Sequence, residues 1–185
     1  MKNEVRIIGG TWRSRKIRFP DAPGLRPTPD RIRETVFNWL GQDLEGLACL
    51  NLYAGSGALG FEAASRGARR VVQVERNAEA CLALKQNCDA LEARMVQIIH
   101  MEVKRYLAGT AETFDVVFLD PPFHENLVEP CCHLLEDNGW LNPRARIYLE
   151  TEKEKVLDGL PVNWERHRSK QTGGVGYQVY HRIPV

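Results

Sequence analysis

Hydrophobic positions along the chain change their period twice. Between residues 5 and 19, apolar and basic positions alternate around Gly9–Gly10, which predicts short extended pieces and a hairpin. Pro20 to Pro29 is rich in turn formers, and Thr28 followed by Pro29 has the pattern of an N-cap with proline at the first helical position. The predicted helix after it carries an apolar stripe of Ile32, Val36, Trp39 and Leu40, which assigns Arg31, Arg33, Glu34 and Asn38 to its other faces. From Leu47 onward, apolar runs at 47–53, 70–75, 95–99, 114–120 and 146–150 predict strands, and the segments 58–66, 77–91 and 125–137 predict helices between them. Such near-continuous apolar strands suit a parallel sheet covered on both faces. The tail "NWERHRSKQTGGVGYQVYHRI" predicts two long strands joined through Gly-Gly, hence an antiparallel pair. The expected fold class is α/β: a doubly wound, mostly parallel sheet with an antiparallel C-terminal hairpin. Ligands bind such sheets beyond the carboxyl ends of the strands.

Composition narrows the picture little, because 185 residues at 43% hydrophobic and 26% charged describe an ordinary globular chain. Charge is more informative. Residues 1–33 hold nine Lys/Arg against three acids, although the whole chain carries a formal charge of only +1. A basic front on an acidic body points to a polyanion contacted by one region. We therefore divide the chain into a basic extension, 1–28, and the α/β domain, 29–185. The five cysteines form no CxxC pair and the five histidines lack metal-ligand spacing, so structural thiols, no metal and a cytoplasmic location are expected. Cys131, Cys132 and His133 are expected to serve core or surface packing, not metal ligation. No apolar run has membrane-spanning length.

Two motifs carry chemistry. In "NLYAGSGALG" (51–60), Gly55 and Gly57 let the backbone turn tightly and approach a ligand, and the following helix offers unpaired N–H groups. With Gly60 and the strand-ending Glu75, the motif fits either a nicotinamide cofactor or an adenosine-containing methyl donor, since the carboxylate can accept both ribose hydroxyls. "DPPF" (120–123) favours the methyl donor. Two prolines remove two N–H groups and stiffen the turn, leaving acceptors only: the Asp120 carboxylate and the Pro121 carbonyl. Such acceptors orient the two N–H bonds of an exocyclic amine on a nucleobase and free its lone pair for attack on a methyl sulfonium. Phe123 can stack on the base. Arg13, Arg15, Lys16 and Arg18 alternate along the predicted strand and, with Arg26, suit phosphate contacts. Arg33 and Arg69–Arg70 are expected to be solvated.

Taken in order, "RIIGGTWRSRK", "GLRPTPDRIRETVFNWL", "NLYAGSGALGFEA" and "DPPF" resemble the bacterial 16S rRNA guanine-N2 methyltransferases over nearly the whole chain. The resemblance implies a Rossmann-like class I methyltransferase with a seven-stranded sheet and a small basic N-terminal extension. It implies S-adenosylmethionine as cofactor, S-adenosylhomocysteine as product, and 16S rRNA in the small subunit or its assembly intermediate as partner, with no membrane and no obligate protein partner. It also implies cofactor contacts from Asn51, Tyr53, Gly55, Ser56, Gly57, Glu75, Arg76 and Glu102, and a flipped guanine held by Asp120, Pro121 and Phe123. Asn51 stands where the family usually has an acid. Glu102 stands where an Asp commonly caps the adenine amine. Adenine-N6 DNA methylation and a weakly catalytic assembly factor are the alternatives, the first lacking a target-recognition domain and the second resting on Asn51 alone.

Overall fold

The computed structural model describes residues 3–185. In chain order the elements are β1 (Glu4–Arg6), β2 (Lys16–Arg18), α1 (Asp30–Leu40), β3 (Ala48–Leu52), α2 (Ala58–Ser65), β4 (Arg70–Glu75) and α3 (Ala78–Leu91). They continue as β5 (Val96–His100), α4 (Val103–Leu107), β6 (Phe114–Leu119), α5 (Val128–Asp137), β7 (Leu141–Glu152), β8 (Trp164–Thr172) and β9 (Val175–Arg182). The main sheet has seven strands in the order β5-β4-β3-β6-β7-β9-β8. β5, β4, β3, β6 and β7 are mutually parallel, and β9 is antiparallel to both β7 and β8. The strand order reverses between β3 and β6, so the carboxyl ends of these two strands open a crevice.

The apolar strands explain the layering. On one face, Ile32, Val36, Phe37 and Leu40 of α1 pack with Leu59 and Ala63 of α2 over Phe118, Tyr148 and Tyr177. On the other, α4 and α5 bring Val103, Leu107, Cys131, Cys132 and Leu135 against Leu50, Val117 and Leu149. Burial pushes the thiol of Cys49, which lies in the first of these cores, up to about 12, in keeping with a packing role. β1 and β2 form the antiparallel hairpin, whose Val5, Ile7 and Ile17 pack on Phe61, Leu84 and Leu91 of α2 and α3.

Three expectations about local structure need correction. α1 starts at Asp30 with Pro29 as its cap residue and no side-chain cap, so Thr28 is not the N-cap. A short helix, α4, joins β5 to β6 where no periodic pattern signalled one. Arg33 is not solvated: it is 0% exposed, as is Glu62 on α2. Its Nη1 donates to Glu62 Oε1 at 2.9 Å, its Nε to the Thr28 carbonyl at 3.1 Å and its Nη2 to the Arg6 carbonyl at 3.0 Å, with Asp30 as a further partner. Glu62 in turn accepts from the Ile8 and Gly9 N–H groups, both at 2.9 Å, and from Arg66 Nε at 3.1 Å. Next to it, Ser65 accepts the Thr11 N–H on its carbonyl and the Trp12 N–H on its hydroxyl. Gly10 has φ +77°, and a Cβ there would run into the Ser65 carbonyl, so only glycine permits this approach. Removing one partner of a buried charge pair leaves the other uncompensated. Glu62→Ala is therefore expected to lose about 3–5 kcal/mol in urea unfolding; a loss below ~1 kcal/mol would contradict the arrangement.

At the far edge, Glu136 on α5 receives Arg182 in a two-pronged contact, Nε to Oε2 and Nη2 to Oε1, both at 2.8 Å. Trp164 Nε1 adds a bond at 2.8 Å and Asn163 Nδ2 another at 3.0 Å, which ties β8 and β9 to the helix. Arg182, then Trp164 and Asn163, hold the Glu136 carboxyl at about 2, against an ordinary 4.5. A depressed carboxylate stabilises the fold above its unfolded value and loses that contribution as pH falls through its folded value. Glu136→Gln should consequently flatten the fall in thermal midpoint between about pH 4.5 and pH 2, and an unaltered slope would show the pair to be inert.

Candidate active site at the carboxyl ends of the strands

Leaving β3, the chain turns through three residues in the left-handed region: Tyr53 (φ +58°), Gly55 (+57°) and Gly57 (+80°). A Cβ at Gly57 would strike Leu84 and Phe61, so this glycine lets α2 dock on α3. Gly60 does the same against the Gln73 side chain on β4. The loop is locked by Glu75 at the end of β4. Its Oε1 accepts from the Gly55 N–H and its Oε2 from the Asn77 N–H, both at 2.8 Å. Asn77 caps α3 by accepting from the Ala80 N–H at 2.9 Å.

Beside this loop lies a cavity of roughly 680 Å³. It is lined by Gly55 and Glu75, by the segment Ala22–Pro29, and by Asp120, Pro121 and Phe123. Arg76 Nη1 and Glu102 Oε1 pair at 3.5 Å on its rim. Tyr53 also lines it, with its hydroxyl 3.5 Å from Cys131 Sγ; burial raises this phenol well above its ordinary value. Of the expected cofactor residues, the cavity thus gathers Tyr53, Gly55, Glu75, Arg76 and Glu102. It does not gather Asn51, Ser56 or Gly57. Asn51 is buried in the sheet, where its Nδ2 donates to Gln73 Oε1 at 2.9 Å, and the Ser56 hydroxyl accepts from the Ala58 N–H at 3.3 Å at the start of α2.

At the end of β6 the Asp-Pro-Pro-Phe turn divides this cavity from a second, of about 420 Å³; Pro121, Pro122, Phe123 and Glu150 line both. Glu150 was not singled out from the sequence. It ends the fifth predicted strand, and the carboxyl-end rule that identified Glu75 and Asp120 applied to it equally. Tyr148 donates its hydroxyl to Glu150 Oε2 at 2.8 Å. Burial, and then the neighbouring Glu150, push the Asp120 carboxyl well above the usual carboxylate range. Burial raises Glu150 too, against the lowering effect of hydrogen bonds with Tyr148 and Asp120.

The basic residues divide into two groups. Arg13, Arg15, Lys16 and Arg18 are exposed on the hairpin, with Lys16 and Arg18 sharing Glu4 at 3.4 and 3.6 Å and Arg15 Nη2 on the Ala90 carbonyl at 3.0 Å. Arg26 instead lines the large cavity. Arg69 and Arg70 stay at the surface, Arg70 paired with Glu112 at 2.6 Å.

The donors and acceptors present fit an adenosine-containing ligand. A carboxylate offers about four acceptor positions, of which Gly55 and Asn77 occupy two on Glu75, leaving capacity for a ribose diol. Asp120 and Pro121 supply further acceptors to the same cavity.

Comparison with known proteins agrees with this geometry. The family described as "Conserved hypothetical protein 95" matches residues 5–181. The chain is 45% identical over 179 residues to the Ribosomal RNA small subunit methyltransferase D of Escherichia coli (strain K12), covering 97% of this chain and 90% of that one. It is 46% identical over 183 residues to the protein of the same name from Haemophilus influenzae, covering 97% and 94%. A solved structure from Escherichia coli superposes with a TM-score of 0.91 at 42% identity, covering 98% of this chain and 99% of that one. A T. thermophilus 16S rRNA N2 methyltransferase in complex with AdoMet and guanosine shares the fold at 20% identity, with a TM-score of 0.71 over 98% of this chain and 50% of its own. The architecture is that of the Rossmann-like class I methyltransferases, and by sequence the chain belongs to the ribosomal RNA small subunit methyltransferase D family.

Proposed function

We propose that the protein transfers a methyl group from S-adenosylmethionine to the exocyclic N2 of one guanine in 16S rRNA, within the small subunit or its assembly intermediate. The observation that carries this reading is the acceptor-only turn, Asp120–Pro121, on the wall of the same cavity as Gly55 and Glu75. When bound, S-adenosylmethionine supplies a methyl group already electrophilic on its sulfonium and leaves as S-adenosylhomocysteine. Glu75 accepts the ribose hydroxyls with the lone pairs its clamp leaves free. Arg76 and Glu102 would flank the adenine. The Asp120 carboxylate and the Pro121 carbonyl would accept the two amine hydrogens and so favour a nitrogen lone pair freed from conjugation. Phe123 stacks on a base flipped out of its helix, since N2 is poorly accessible in a stacked duplex. Positioning and fixed dipoles supply the catalysis. Residues 1–28 bring exposed arginines to the phosphate backbone, which sets register and makes affinity depend on salt.

The defining experiment incubates the protein with labelled S-adenosylmethionine and small subunits from cells lacking the enzyme, then maps the label by nuclease digestion and mass spectrometry. Label on guanine N2 is expected; label on adenine N6, or only on DNA, would overturn the reading. Asp120→Ala should lower the transfer rate by about 10²–10³-fold and leave S-adenosylhomocysteine affinity unchanged in calorimetry. A large loss of that affinity would contradict the role given to Asp120. Replacing Arg13, Arg15 and Lys16 together with Ala should weaken subunit binding and reduce its log–log salt slope by about 1–2. That falls short of three full contacts because Lys16 is already paired with Glu4. An unchanged slope would remove the hairpin from the RNA interface.

A further inference from the structure

Part of the positive charge carried by residues 1–33 is already neutralised in the fold: Lys16 and Arg18 share Glu4, and Arg33 is buried against Glu62. Unpaired cations stand instead at the opposite edge of the sheet, on β8, which ends the strand order beside β9. Residues directly opposite one another in an antiparallel pair point to the same face, so the registers of β7, β9 and β8 define rows of side chains across the sheet. One row runs Glu150–Tyr177–Lys170, the next Tyr148–Val179–Arg168. Tyr148, Tyr177 and Val179 belong to the core beneath α1, and Lys170 and Arg168 continue that face outward. Trp39 of α1 covers the middle of the first row, stacked on Tyr177 at 5.5 Å. A register shift between Arg166 and Arg168 leaves His167 outside the pairing, and its ring stacks on that of His181, the partner of Arg146, at 4.1 Å. The bulge thus turns His167 and Arg168 to one face. Both Arg168 and Lys170 are exposed, and among the described residues neither has a carboxylate within salt-bridge distance. Arg168 commits one N–H to the His167 carbonyl at 2.9 Å. This occurs in a part of the chain, residues 34–185, where 21 acids outnumber 16 bases.

We propose that Lys170 and Arg168, on the outer edge of the sheet, form a second grip on RNA, holding phosphates of the strand next to the flipped base. This rests on the reading that the substrate is rRNA. Glu150 lines the large cavity, and Lys170 stands two strands away in the same row, about 10 Å from backbone to backbone. β8 runs in the same direction as β7, so Lys170 is nearer the crevice than Arg168. The two are about 7 Å apart along the strand, a spacing comparable with that of successive phosphates. An RNA strand laid along β8 therefore meets both cations and arrives at the carboxyl ends of the sheet. The N-terminal hairpin packs on α2 and α3, over β4 and β5 at the other end of the strand order. The two basic surfaces thus flank the crevice between β3 and β6, and RNA held at both presents its base between them. Basic residues also keep a bare sheet edge from pairing with a second sheet, and the two roles differ in what their loss does to RNA binding.

The test uses the full chain and small subunits from cells lacking the enzyme. Arg168→Ala combined with Lys170→Ala should weaken subunit binding about tenfold at physiological salt and lower the log–log salt slope by about 1–2. The thermal midpoint and S-adenosylhomocysteine affinity should stay at their wild-type values. Arg168→Lys combined with Lys170→Arg keeps both charges and should bind subunits with the wild-type slope. Added to the alanine changes at Arg13, Arg15 and Lys16, the β8 changes should lower the slope further by the same amount, because the two sites share no partner. In the unaltered protein, bound subunits should protect Lys170 from acetylation. An unchanged slope in the double alanine variant, or equal acetylation of Lys170 with and without subunits, would overturn the proposal. So would a variant that self-associates in light scattering yet binds subunits with the wild-type slope, the outcome expected of charges that only guard the edge. If the N-terminal substitutions lower the slope and the β8 substitutions do not, this inference alone fails; if the wild-type protein has no salt-dependent affinity for subunits, the underlying reading fails.

Discussion

The Glu62 carboxylate is the constraint on which the rest of the arrangement depends. It is fully buried and joins four partners: two N–H groups of the N-terminal hairpin, Arg33 of α1 and Arg66 of its own helix. Arg33 extends the junction to the carbonyls of Thr28 and Arg6. A charge pair of this kind adds little net stability over a well-packed apolar substitute, yet it admits only one relative placement of the elements it bonds. Here it fixes where the hairpin, the proline-rich segment and the glycine-loop helix meet. The segment Ala22–Pro29, which walls the large cavity, is held at its far end by this junction.

Around the cavity, the chemistry is one of acceptors held still. Glu75 is locked by two backbone N–H groups, Pro121 and Pro122 have none to offer, and Glu150 is fixed by Tyr148. Each of these costs is met in folding, so little reorganisation is left for the moment of reaction. The strain in the left-handed Tyr53 belongs to the same account: a non-glycine residue holds that conformation because β3 and the glycine loop leave it no other path.

Much of this was legible in the sequence because it depends on local rules. The apolar strands, the Gly-Gly hairpin, the glycine loop and the Asp-Pro-Pro-Phe turn each announce themselves within a few residues, and the structure has them in the expected places. The largest miss depends on a distant partner. Arg33 on an amphipathic helix looks solvated until Glu62, 29 residues later, is placed against it. The visible sign was Glu62 itself, the single charge in a helix whose every residue is buried. Asn51 lies within β3, where its side chain donates to Gln73, a contact the local pattern did not announce. α4 has only five residues, too few to show a period.

The bonds from Ile8 and Gly9 to Glu62 span 54 and 53 residues of chain. On a growing polypeptide, the hairpin residues leave the ribosome before their docking surface, which exists only once α2, and then α3, have followed them out. The hairpin is made before its dock and settles after it. Its arginines take up fixed positions only after the loop behind β3 has been synthesised, so a nascent or truncated chain cannot present an ordered basic face without a nearly formed crevice behind it. In such a protein, competence to grip a polyanion is a late product of folding and signals that the site beneath is built.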